Sequence, residues 1–346
     1  METVQVDGAE GEGGGQILRT AVAFAVIKGR PVHVVKIRAG RPEPGLKRQH
    51  LSALEVLAKV FDGNLEGARE GSTEITFTPG KARTRSLSLN MGTAASITLL
   101  LQAVVPAVSL TGERLGLELV GGTDVPWSPT FDYFERVVRS AFKSIGLTFE
   151  VRADRRGYYP RGGGKVTANI APCHYVSPMG LAGRGAADAD VVSRCGGLPM
   201  HVAERQLTSA SRILQGAGLK INGLDAVDAP SDSPGSSILV SHVGGGTFLG
   251  ADAIGARGKP AEEVGAEAAT KFAREAATGA QLDSNLGDML IPLLSLSPEP
   301  STIAVPAVTP HLMSGLGLAE KFTGCAWKAS KADSAFVVRI EPRPGG

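Results

Sequence analysis

The sequence predicts a protein of the mixed α/β class, and three observations carry that expectation. Short β-branched runs alternate with helical patterns, and two near-continuous apolar segments, 93–105 and 286–296, resemble each other from opposite parts of the chain. The order strand, helix, strands, helix, strand also recurs after Gly163. A self-contained block over 183–279, with strands and helices of its own, interrupts the recurrence as an insertion would. At 346 residues the chain is long for one core. Two domains are therefore expected: a large one from 1–182 and 280–346, and a smaller α/β one from 183–279.

The elements follow in order. Val and Ile fill most of 31–37, a strand, and Leu46, Leu51, Leu54, Leu57 and Val60 give 45–61 the spacing of an amphipathic helix. Residues 73–78 alternate as a strand does. Segment 93–105 is apolar on nearly every side and predicts a buried helix, with Asn90 or Thr93 near its start. A strand over 114–120 precedes a helix over 129–145 bearing Phe131, Phe134, Val137, Val138 and Phe142. Inside the block, strands at 190–195 and 236–243 alternate with helices at 203–216 and 261–278.

With 42% hydrophobic and 20% charged residues, the composition is that of a soluble globular protein. No apolar run approaches the ~20 residues of a membrane span, and Met1-Glu2-Thr3-Val4-Gln5 has no basic or apolar leader pattern. Three widely spaced cysteines, Cys173, Cys195 and Cys325, form neither a metal pair nor a disulfide framework, which fits a reducing cytoplasm. Glycine is over-represented, 45 residues in all, clustered in polar turns where the backbone must bend tightly or approach something closely.

Two N-terminal stretches stand out. Residues 7–19 read Asp-Gly-Ala-Glu-Gly-Glu-Gly-Gly-Gly-Gln-Ile-Leu-Arg, and residues 37–51 read Ile-Arg-Ala-Gly-Arg-Pro-Glu-Pro-Gly-Leu-Lys-Arg-Gln-His-Leu. Between Gly13 and Leu54 there are eight Lys or Arg and one acid, Glu43, in a chain of net charge +2. One of six histidines, His311, sits in Thr309-Pro310-His311-Leu312-Met313-Ser314. A nucleophile-capable imidazole together with a basic, glycine-rich segment points to chemistry on phosphates.

These motifs resemble those of the RNA 3′-terminal phosphate cyclases. The resemblance covers 7–19, 37–51, Gly121-Gly122-Thr123-Asp124 with Pro126 and Pro129, Gly157-Tyr158-Tyr159-Pro160 with Gly162-Gly163-Gly164, Leu286-Gly287-Asp288, and His311-Leu312-Met313. The motifs stand in the family's order across nearly the whole chain. The resemblance implies an α/β (α+β) fold: three repeated βαβαββ units form a large domain, with a smaller α/β domain inserted in the third, where 183–279 falls. It implies an ATP-dependent ligase that converts an RNA 3′-terminal phosphate to a 2′,3′-cyclic phosphate. The route passes through histidine-AMP and RNA(3′)pp(5′)A intermediates and releases pyrophosphate and AMP. The implied partners are RNA 3′-phosphate ends and ATP with Mg²⁺ or Mn²⁺; a homodimer is among the assemblies this reading allows.

Residue by residue, the resemblance makes His311 the nucleophile toward the α-phosphorus of ATP. Glycines 13–15 with Arg19 form a turn where backbone N–H groups approach phosphate. Glu12 becomes a nucleotide contact and the candidate metal ligand. Arg19, Arg38 and Arg41 would neutralise the triphosphate or the RNA phosphate through paired hydrogen bonds. Gln49 and His50 are implied phosphate or nucleotide contacts. Gln102, an amide in an apolar helix, serves either structure or ligand on spacing alone, and the resemblance assigns it to the nucleotide. Asp288, a carboxylate that needs a partner, either orients His311 or binds the nucleotide; Pro129 lines the adenosine pocket.

Two departures accompany the match. After His311 the chain reads Leu312-Met313-Ser314-Gly315 where the family usually has Leu-Leu-Thr-Asn, and Asn285 stands where a Tyr is common. Stacking of adenine on that ring is therefore lost, and Phe248 is a candidate replacement surface. Two other readings compete. A non-catalytic, cyclase-like ribosome-biogenesis protein shares the fold but lacks the nucleophile, which His311 supplies here. An enolpyruvyl transferase uses similar repeated units, but 37–51 and His311 belong to the cyclase pattern.

Overall fold

The structure is a computed structural model and describes residues 2–11, 13–92, 94–182, 185–186 and 188–343. The first sheet grows from the N-terminus. β1 (Val4–Asp7) leads through a glycine-rich turn into α1 (Gly15–Lys28), and β2 (Val32–Val35) returns parallel to β1 with Val32 beside Val4. α2 (Arg48–Val60) follows, then β3 (Asn64–Glu66) and β4 (Ile75–Thr78), giving the order β1-β2-β4-β3. Gly29 closes α1 at φ 61, a left-handed conformation that glycine adopts without a Cβ clash. The predicted helix 45–61 starts only at Arg48, because Gly45 N–H donates to Ile37 and Leu46 N–H to Ser72.

A second sheet has the same connectivity and the same strand directions. β5 (Ser86–Asn90), α3 (Ile97–Ser109) and β6 (Leu115–Gly121) are followed by α4 (Phe131–Tyr133), a π-helical turn Phe134–Val138 and α5 (Arg139–Ser144). β7 (Phe149–Arg155) and β8 (Gly164–Ile170) complete the order β5-β6-β8-β7. The recurrence expected after Gly163 is therefore displaced: β8 pairs antiparallel with both β6 and β7 and closes this sheet. The helix expected to start near Asn90 or Thr93 starts at Ile97 and is capped by Ser96, whose hydroxyl accepts from Leu99 N–H at 3.2 Å. Asn90 is the last residue of β5, and its side chain accepts from Gly92 N–H; Thr93 lies outside the described residues.

Next come β9 (Asp188–Gly196), α6 (His201–Gly216), β10 (Lys220–Asp228), β11 (Gly235–Gly244), β12 (Thr247–Ile254) and α7 (Ala261–Ala276), with sheet order β10-β9-β11-β12. Ala189, Val191, Leu214, Val240, Val264 and Phe272 belong to a core separate from the main one. The chain ends with α8 (Ser284–Leu294), β13 (Ser301–Val305), α9 (Pro310–Thr323), β14 (Ala326–Ala332) and β15 (Ala335–Glu341), in antiparallel order β13-β15-β14. Residues of α8 and α9 join those of the first two sheets in one continuous core. Among the described residues no helix is long and apolar enough to cross a membrane.

Buried charges tie the elements together. Arg156 is 5% exposed and lies between Asp124 (3.3 Å) and Asp132 (3.0 Å), over the Phe131 ring; Arg194 Nε reaches both oxygens of Asp132 at 2.9 Å. Asp283 caps α8 by accepting from Leu286 N–H and also accepts from Tyr133 O–H and Gly250 N–H. Burial pushes its carboxyl up to about 7 against these bonds.

The native state thus takes up a proton at Asp283 well above the carboxyl's ordinary 3.8. This group's contribution to stability rises as pH falls from about 7 toward about 4 and is absent above about 7. The difference in melting temperature between wild type and Asp283→Asn should grow as pH falls through that window. A difference that is constant with pH would mean the carboxyl ionises normally.

Candidate active site

The site is assembled at the start of α1. Gly14, the residue before this helix, has no side chain to cap it, and the first turn carries no acid, so no residue of that turn offsets the positive end of the helix dipole. A Cβ on Gly14 would lie 3.4 Å from an Arg41 guanidinium nitrogen and 3.8 Å from the His311 ring. Arg41 and His311 therefore flank the same bare stretch of backbone. On the next residue, Gly15, a Cβ would sit 2.1 Å from His50 Nε2 and 3.0 Å from Arg19 Nη1. Only glycine permits this closure.

His311 is half-buried in the first turn of α9. Thr309 caps that helix by accepting from Leu312 N–H at 2.9 Å, and Pro310 at the first position needs no hydrogen-bond partner. The Thr309 hydroxyl donates to Asp288 Oδ1 at 2.5 Å, while the Asp288 carbonyl accepts from the Gln16 amide at 3.3 Å. Asp288 thus links α8, α9 and the first turn of α1. A Cβ on Gly11 would strike the Ser314 hydroxyl at 2.0 Å, so the glycine turn packs directly on α9. Lys321 near the end of α9 pairs with Glu10 at 3.0 Å. The crevice bordered by Gly14, Gln16, His311 and Ser314 encloses about 10 Å³, room for a water but not a nucleotide. A larger ligand must lie across its open face.

The basic loop supplies the other wall. Arg38 has φ 57, unusual for a side-chain-bearing residue, and its Nη1 donates to the carbonyls of Glu43 and Gly45, both at 2.8 Å. That guanidinium therefore shapes its own loop. Burial and the neighbouring Arg41 lower the Arg38 pKa, with Glu43 opposing them. Arg19 is half-buried, and the protein around it pushes its pKa down to about 10. His50 is only 3% exposed; Lys47 N–H donates to its Nδ1, which leaves the proton on Nε2. Burial first, then the charges of Arg19, Arg38 and Lys47, push it down to about 3. His50 is a neutral strut with both ring nitrogens turned to protein.

Glu12 lies outside the described residues. Gln49 is half-buried in the first turn of α2, beside the basic loop. Gln102 sits one turn along α3 from Thr98, whose hydroxyl donates to the Pro129 carbonyl at 2.9 Å, so these two candidates gather at α3. Asn285 is half-buried in the first turn of α8. Phe248, the candidate replacement ring, is 7% exposed and packed in the main core, so it offers no open surface. Sequence reasoning missed Thr309 and Gln16. The Thr-Pro pair before an apolar run is a readable helix start, whereas nothing in sequence marks Gln16 as the partner of a residue 272 positions away.

The RNA 3′-terminal phosphate cyclase family matches residues 10–329, and the chain belongs to it. An RNA 3′-terminal phosphate cyclase of Hyperthermus butylicus is 41% identical, with 98% of each chain covered. Those of Methanopyrus kandleri (41%, all of each chain) and Thermococcus gammatolerans (42%, 98% of each) are similarly close. A solved EPSP synthase structure from Acinetobacter baumannii aligns at 12% identity and a TM-score of 0.27, covering 94% of this chain and 62% of that one, a score too low to indicate a shared fold.

The state of His50 can be checked directly. Its imidazole signals in an NMR titration should stay fixed between about pH 8 and pH 5, because burial holds it neutral throughout. Titration near 6.5 would contradict the buried geometry.

Proposed function

We propose that the chain uses ATP to convert RNA 3′-terminal phosphates to 2′,3′-cyclic phosphates, with His311 as the nucleophile. A neutral ring nitrogen attacks the α-phosphorus, forming a P–N bond as the bond to pyrophosphate breaks. An oxygen of the RNA 3′-phosphate then attacks that phosphorus; the P–N bond breaks and RNA(3′)pp(5′)A forms. The adjacent 2′-hydroxyl loses its proton and attacks the 3′-phosphorus, expelling AMP. That step gains from having nucleophile and electrophile on one ribose. The observation that carries this reading is the convergence of His311, Arg41 and an uncapped helix start on one bare glycine backbone.

In this reading Arg41 and Arg19 offset phosphate charge, Gln49 lies beside them, and Arg38 keeps the loop in shape while adding to the field. His50 contributes through Gly15 and Arg19. Asp288 orients His311 by way of Thr309, and Gln102 with Pro129 receives the adenosine. Mg²⁺ or Mn²⁺ would be held at the triphosphate by Glu12. Glu12 is the carboxylate of the glycine turn that the resemblance makes the metal ligand, and it lies outside the described residues. The ion's chemistry there is to neutralise developing charge on phosphate oxygens.

The proposed architecture is three βαβαββ units. The shared order of the first two sheets supports it, as does the β13-β15-β14 order, which matches the last three strands of each. Bonds from Thr302 N–H to Met179 and from Gln281 N–H to Ala304 bring the ends of the intervening block together beside β13, as an insertion in the third unit requires. Three buried free cysteines suit a cytoplasmic setting.

Incubation with α-labelled ATP and Mg²⁺ should label the protein through an acid-labile bond, and His311→Ala should abolish both labelling and cyclisation while keeping the wild-type melting temperature. Covalent AMP on the His311→Ala protein would overturn the assignment. Arg41→Ala should slow the phosphate-dependent steps about ten- to a hundredfold, the range for one lost charge-assisted hydrogen bond. Wild-type rates would instead make Arg41 a solvated surface cation.

A further inference from the structure

Far fewer contacts hold two of the aromatic side chains than the core demands of such rings. Trp127 is 97% exposed and Tyr159 is 67% exposed. The chain has only two tryptophans and four tyrosines, so rings left in water are a notable use of them. Exposed Trp forgoes the burial of some 200 Å² or more that such rings usually achieve. Trp127 also holds φ 66, a conformation that is a genuine outlier for a bulky residue.

Their loops are fixed to one another from below. Thr123 N–H donates to the Gly157 carbonyl at 2.9 Å, Gly157 N–H donates to the Thr123 hydroxyl at 3.0 Å, and Asp124 bridges Tyr158. Beneath them the buried Arg156 clamps Asp124. Tyr158 itself is buried, its ring so close to Gly235 that a Cβ there would lie 2.0 Å away, while the next residue projects outward. Gly162 N–H closes the second loop onto the Tyr158 carbonyl, and the same short loop carries Tyr159 and Arg161, the latter exposed and with no ion pair among the described residues. The first loop is joined to α3 through the Thr98–Pro129 bond, and α3 packs against α1 and α2, the helices whose first turns carry the site.

We infer that Trp127 and Tyr159, with Arg161, form a stacking platform for bases of single-stranded RNA on the 5′ side of the reacting end. Flat rings on a rigid base accept any nucleobase face, and an unpaired guanidinium suits the phosphate between two such bases. A protein partner would favour a continuous apolar patch rather than two exposed rings and a cation on joined loops. The inference rests on the proposed RNA-end reading, which it extends from the terminal phosphate to the strand.

The test uses the full chain with Trp127→Ala and Tyr159→Ala and a 3′-phosphorylated oligoribonucleotide. Each variant should bind the oligonucleotide about tenfold or more weakly, the scale of one lost base stack. Trp127→Phe should restore binding, and melting temperature and AMP labelling without RNA should stay at wild-type levels. Unchanged RNA affinity in both alanine variants overturns the platform. Weakened AMP labelling in the absence of RNA also overturns it, since the rings would then serve the adenine of ATP. A change in oligomeric state without loss of RNA affinity would make the rings a contact between copies. If the wild type takes up no AMP yet binds RNA through Trp127, the platform stands and the cyclase reading falls.

Discussion

Asp288 accepts the Thr309 hydroxyl through its carboxylate and the Gln16 amide through its carbonyl, so one residue of α8 fixes the first turns of both α9 and α1. His311 lies two residues beyond the Thr309 cap, and Gly14 lies two residues before Gln16. The distance between the candidate nucleophile and the bare helix start is therefore set by one residue, through its carboxylate on the α9 side and its backbone carbonyl on the α1 side. Positioning of this kind matters because displacement at phosphorus requires near in-line approach, and small misplacements are expensive in rate.

Arginine is used in two opposite ways. Arg156 is buried between Asp124 and Asp132, which raise its pKa against the burial that would lower it. Its charge is satisfied, and it behaves as part of the scaffold. Around α1 the balance is reversed: burial lowers the pKa of Arg19, and Arg38 and Arg41 repel each other. The protein holds these cations close together and keeps His50 neutral among them. Such a concentration of like charge is costly in the free protein, and an anion placed among these groups would relieve it.

Glycine does comparable work at the backbone. Gly11, Gly14 and Gly15 are each bare where another side chain comes close: Ser314, then Arg41 with His311, then His50 with Arg19 of the same helix. Side chains from α9, the basic loop, α2 and α1 itself meet on a turn of a few residues because its glycines carry no side chains to keep them away.

The sequence by itself determined the class, most helices and strands, and the motif set that assigns the family. Apolar periodicity is local, and the helices over 203–216 and 261–278 have it in plain form, so they were legible to within a few residues. His311, Arg41 and the glycine turn were likewise visible as unusual residue types in unusual density. Only the tertiary structure decided which sheet β8 completes, that Ser96 caps α3, and that Phe248 and His50 are buried. Each of those depends on partners far away in the chain, as the Gln16–Asp288 bond does across 272 positions, and local periodicity carries no information about which distant group fills a hydrogen bond or covers a ring.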